Sequence, residues 1–64
     1  MIANGKKIDL ERNLSLQEFL DGMGYGLSEV AVEKNGAVVP KNSFETVMIC
    51  DDDTLEIVRF VGGG

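Results

Sequence analysis

Few residues in this chain could take part in covalent chemistry. Among its 64 residues there is one cysteine and no histidine. Without histidine the commonest general base, the commonest metal ligand and every Ser-His or Cys-His nucleophile pair are gone. A single cysteine also excludes an internal disulfide. Cys50 follows Val47-Met48-Ile49 and precedes Asp51-Asp52-Asp53. That acidic field disfavours a thiolate, so the residue is expected to be a small inert hydrophobe. The three aspartates lack the glycine and distal glutamate of a calcium-binding loop, and a solvated turn is expected there. What remains is the end of the chain. The strand-like Leu55-Glu56-Ile57-Val58-Arg59-Phe60-Val61 runs without a spacer into Gly62-Gly63-Gly64. Those glycines cannot pack against a core, so a mobile tail over 62–64 is expected. A frayed end is the plain alternative, and the direct join to a strand favours a role.

The elements that must carry this tail are legible from spacing. Asn4-Gly5 separates Met1-Ile2-Ala3 from Lys6-Lys7-Ile8-Asp9-Leu10, and the dipeptide suits a two-residue hairpin. Ser15 with Glu18 forms a capping-box pattern that opens a helix. Leu16, Phe19, Leu20 and Met23 then fall on one helical stripe, which Gly22, Gly24 and Gly26 bring to an end. Val30 to Lys34 and Ala37 to Val39 flank a second Asn-Gly, and Pro40 closes that hairpin. Lys41 to Thr46, polar with one Phe, is expected to form a short helical turn that plugs one end of the core, and Tyr25 is expected to be a loop residue shielding the core. The order is β-β-α-β-β-β, an α+β fold with one main helix across one face of a mixed sheet. Ile8, Leu10, Leu16, Phe19, Leu20, Val30, Val32, Leu55 and Ile57 are the expected core. Strand alternation then turns Glu56, Val58 and Phe60 to the opposite face. Val58 and Phe60, leading to the tail, form a candidate docking patch. Arg59 has two readings, a pair with a partner's acidic group or with a local carboxylate.

Length and charge narrow the functions. A chain of this size makes one domain, here 1–61, with little room for an enclosed active site. The net charge of −5 opposes binding to nucleic acid or to an anionic membrane and favours a basic protein partner. The chain has no basic start followed by a long apolar run, so a cytoplasmic protein is expected.

Two segments carry a resemblance: Asn35-Gly36 with Val38-Val39-Pro40, and Asp53 to Gly64 with its glycine end. Together with the element order they resemble ubiquitin and its bacterial sulfur-carrier relatives, and most of all the ThiS family of thiamine (thiazole) biosynthesis. The resemblance spans nearly the whole chain and departs from the usual pattern only in a third glycine, Gly62. It implies a ubiquitin-like β-grasp fold and a carrier, not an enzyme. In such a carrier an E1-like adenylating enzyme spends ATP on the Gly64 carboxylate. A sulfur donor protein then displaces AMP, and thiazole synthase consumes the resulting thiocarboxylate. ATP belongs to the partner, and the carrier itself is expected to bind no cofactor and to be a monomer when free. The related small subunit of molybdopterin synthase and an uncharged ubiquitin-like interaction module are the alternatives.

Overall fold

The computed structural model describes residues 1–60. Val61 and the expected tail, Gly62 to Gly64, lie outside the described residues.

The first hairpin joins β1 (Ile2–Ala3) to β2 (Lys6–Lys7). Asn4 and Gly5 both adopt positive φ, 52° and 82°. A type I′ turn demands this at both central positions, and its twist matches that of the strands. Met1 and Ile8 extend the pairing, with the Ile8 N–H donating to the Met1 carbonyl at 2.8 Å. The Met1 ammonium returns a bond to the Ile8 carbonyl at 3.0 Å. The expected strand to Leu10 stops at Lys7: the Leu10 N–H donates to Asp51 Oδ1 at 3.1 Å rather than to a neighbouring strand, and Ile8 and Leu10 are half-buried rather than fully enclosed.

After the short β3 (Leu14–Ser15), helix α1 covers Leu16–Met23. The capping box forms as its residues require: the Glu18 N–H donates to Ser15 Oγ at 3.0 Å, and the Ser15 N–H donates to Glu18 Oε1 at 2.9 Å. The Ser15 backbone N–H, then its hydroxyl, hold the Glu18 carboxyl below its ordinary pKa. Gly24 closes the helix in the left-handed region at φ 85°. Leu16, Phe19 and Leu20 are buried, but Met23 is half-exposed. It sits in the last turn beside Gly24, where the helix is running out, so the fourth member of the stripe stays at the surface.

The main sheet has the order β2-β1-β7-β4-β5, where β4 is Val30–Lys34, β5 is Ala37–Val39 and β7 is Thr54–Arg59. The last strand is central, parallel to β1 and antiparallel to β4. Its described part ends at Arg59, short of the expected Val61. A second Asn-Gly turn, with φ 52° and 88°, links β4 to β5. The sequence reading did not anticipate the two-stranded sheet of β3 with β6 (Met48–Ile49), antiparallel with Leu14 opposite Ile49. The sequence marks Val47 to Cys50 as a short extended piece, and β6 lies within it; β3 is too short to show a periodicity, so its pairing with β6 is revealed only by the tertiary structure.

The core joins the helix stripe to Val30, Val32, Leu55 and Ile57, as expected, and adds Met1, Ala3, Val39, Phe44 and Ile49. Phe44 follows the short 3-10 turn at Lys41–Ser43 and is 2% exposed, filling one end of the core. No helix among the described residues is long and apolar enough to cross a membrane.

Candidate functional site: the open sheet face and the end of the last strand

Strand alternation divides β7 between two environments. Leu55 and Ile57 are buried with the helix, whereas Val58 is 60% exposed and Phe60, just past the strand, 50%. The neighbours of Val58 on this open face follow from register. Ala31 lies opposite Val58, Glu33 lies opposite Glu56, and Val38 lies opposite Glu33 on the other side. Ala31 is also exposed, and Val38 is 72% exposed. The sheet thus presents an apolar patch with two carboxylates in it.

The root of the tail is fixed from both sides. The Phe60 N–H donates to the Glu29 carbonyl at 2.7 Å, carrying the β4–β7 ladder one residue beyond Arg59. Lys41 Nζ lies 5.5 Å from the Phe60 ring centroid and also donates to the Ser28 carbonyl at 3.0 Å. On the opposite face the Arg59 guanidinium lies 4.9 Å from the Tyr25 ring centroid. Among the described residues Arg59 is therefore engaged by an aromatic ring and joins no carboxylate, a cation–π contact that sequence spacing gave no means to foresee. Tyr25 is half-buried against the core, as a shielding loop residue would be.

The aspartate triplet is a turn, and among the described residues Asp51 and Asp53 have side-chain partners whereas Asp52 has none. Asp51 Oδ1 accepts from the Met1 ammonium at 2.9 Å and from the Leu10 N–H at 3.1 Å. Asp53 is buried, and it accepts from the Asn35 side chain and the Cys50 N–H, each at 2.9 Å. This corrects the expectation of a solvated turn: a buried carboxylate needs several donors, and the fold supplies them. Burial raises the Asp53 carboxyl. Asn35, the Cys50 N–H and Lys34 outweigh it, so its pKa is lowered. Cys50 is half-buried, with Sγ donating to Asp53 Oδ2 at 3.6 Å. Among the described residues no group of three His, Cys, Asp or Glu could hold a metal ion.

Of the sequence-derived site residues, Val58 is exposed on the open face and Phe60 is exposed just past the end of the strand, while Gly62, Gly63 and Gly64 fall outside the described residues. The model of the ThiS family matches residues 2–64. The chain belongs to the ThiS family. Relatives of this ThiS-family chain agree with that membership. It is 36% identical to the sulfur carrier protein ThiS of Bacillus subtilis, over 95% of this chain and 94% of that protein. It is 39% identical to a segment of a thiazole synthase from Magnetococcus marinus, over 95% of this chain but 19% of the synthase. The chain thus spans about a fifth of the length of the thiazole synthases it matches. The crystal structure of the thiamine biosynthesis protein ThiS from Geobacter metallireducens superposes with a TM-score of 0.78 at 30% identity, covering 98% of this chain and 96% of that one. The mixed sheet crossed by one helix is thus the β-grasp fold of ThiS structures.

Proposed function

We propose that this ThiS-family chain is a sulfur carrier for thiazole formation, with the carboxylate of Gly64 as the group that is charged. The match to the family across residues 2–64 is the observation that supports this most. A carboxylate is a poor acyl electrophile. The Gly64 oxygen attacks the α-phosphorus of ATP in an E1-like adenylating partner, pyrophosphate leaves, and AMP becomes a good leaving group on the carbonyl carbon. A sulfur nucleophile then attacks that carbon and expels AMP, leaving a thiocarboxylate. ATP, metal and sulfur donor belong to partners, so the chain is a carried substrate rather than a catalyst, and it works in the cytoplasm. The matching segment within thiazole synthases supports that enzyme as the acceptor.

In this reading the domain is 1–61 and the tail is 62–64. Val61 to Gly64 span at most roughly 13–14 Å when extended, enough to enter a narrow channel, and glycines leave that channel free of side chains. Ordering such a tail costs entropy, which contacts of the docked domain must offset. Val58 and Phe60 supply those contacts because they are exposed near and just past the end of the strand that leads to the tail. The test is intact-mass measurement after incubation with ATP, an adenylating enzyme and inorganic sulfide. Exchange of one oxygen for sulfur at the C-terminus is expected. An unchanged mass alongside a charged control carrier would make the chain an interaction module instead.

A further inference from the structure

The open sheet face holds a pair of charges that the carrier chemistry does not use. Glu33 and Glu56 stand directly opposite each other across β4 and β7, and both are exposed. Opposed side chains have Cβ atoms about 4.5–5.5 Å apart, and like charges at that spacing weaken the ladder. Neither carboxylate joins a salt bridge among the described residues, where the ion pairs are Met1–Asp51 and Lys34–Asp53. The pair is bordered by apolar side chains: Val38 opposite Glu33, and the Val58–Ala31 pair in the next row of the same face. An arrangement that costs stability in the free domain, set within an exposed apolar patch, fits a cationic occupant.

We propose that this face docks on a protein surface whose apolar centre carries an arginine, and that Glu33 and Glu56 together accept its guanidinium. The inference rests on the carrier reading, in which the face meets the adenylating enzyme. A planar guanidinium offers donors in a fork that two carboxylates can share, and its weak hydration suits a site walled by valines. A bound divalent cation fits less well. Hard cations take six or more oxygens, and among the described residues no third His, Cys, Asp or Glu side chain joins the pair. The net charge of −5 draws a basic surface in from a distance. The glutamate pair then gives that attraction a fixed point, so it sets the register in which the tail is presented.

The test compares binding of the purified adenylating enzyme to the full chain as wild type, E33Q, E56Q, E33Q/E56Q and V58S. Glutamine keeps shape and removes charge. At about 0.05 M salt the double variant is expected to bind about tenfold more weakly, and at about 0.5 M salt the difference should shrink as screening shortens the range. V58S should weaken binding at both salt concentrations. The melting temperatures of E33Q and E56Q should equal or exceed that of wild type, because a repulsion has been removed. Wild-type affinity in E33Q/E56Q with weakened V58S overturns the inference and leaves the carrier's docking face standing. Wild-type affinity in both overturns the docking face as well. A melting temperature lowered in both single variants would show that the pair is structural, which also overturns the inference.

Discussion

Asn4 grips Ile57 by both backbone groups: its side-chain oxygen accepts the Ile57 N–H at 2.7 Å, and its side-chain nitrogen donates to the Ile57 carbonyl at 3.1 Å. One turn residue thereby extends the β1–β7 ladder past the end of β1 and holds the central strand just before Val58. Asn4→Gly keeps the positive φ of the turn and loses both bonds. It should cost about 1–3 kcal/mol, the usual penalty for part-buried groups left unpaired. Chemical denaturation of the two proteins measures it, and a loss near zero would show that solvent replaces Asn4.

Leu20 and Leu55 are each fully enclosed, one from the helix and one from the central strand. Truncating either to Ala should destabilise by about 2–5 kcal/mol. In so small a domain that can remove most of the folded population. Circular dichroism melts should show a lowered midpoint or no cooperative transition.

Acid should loosen the chain at two points. The hydrogen bond from the Met1 ammonium, then the Leu10 N–H, lower the pKa of Asp51. Asp53 is lowered as well, its donors outweighing burial. A carboxyl lowered by folding adds stability that is fully present above its unfolded pKa of about 3.9 and disappears as pH falls through the lower folded value. Asp51→Asn should therefore melt below wild type at neutral pH, and the two curves should converge at pH values below about 3.9. A constant difference down to the lowest pH would show that the ammonium–carboxylate contact contributes nothing.

Phe60→Ser removes an exposed ring whose main described contact is the Lys41 ammonium, an interaction worth about 0.5–1 kcal/mol at such a site. The melting temperature should move little while adenylation slows markedly. Unchanged adenylation with a large loss of stability would make Phe60 a cover for the sheet edge.

Deleting Gly64 draws the carboxylate back by about 3.3–3.6 Å of extended chain. Reacting atoms must approach to about 3–3.5 Å, so charging should slow substantially. Gly62-Gly63 would still end the chain, so some activity should survive. Adding one Ala after Gly64 should nearly abolish charging by placing a methyl group in the channel. Thiocarboxylate yield, measured by mass, compares all three, and equal yields would show that the terminus is not read.

The sequence by itself determined the local units, because each is encoded by neighbours. Asn4-Gly5 and Asn35-Gly36 dictate their turns through backbone geometry alone. Ser15 and Glu18 satisfy each other within one turn of helix, and alternation along the last strand separates Leu55 and Ile57 from Val58. Tertiary structure alone decided contacts between residues far apart in sequence. Arg59 could have met any carboxylate, and the path of the loop after α1 set Tyr25 beneath it instead. Asp51 and Asp53 look like a solvated run until the fold brings the Met1 ammonium to one and Asn35 to the other. The facing of Glu33 and Glu56 likewise depends on which residue of β4 meets which of β7. Composition and periodicity report which face a side chain takes, but only the register of the assembled sheet determines its neighbour across the strand.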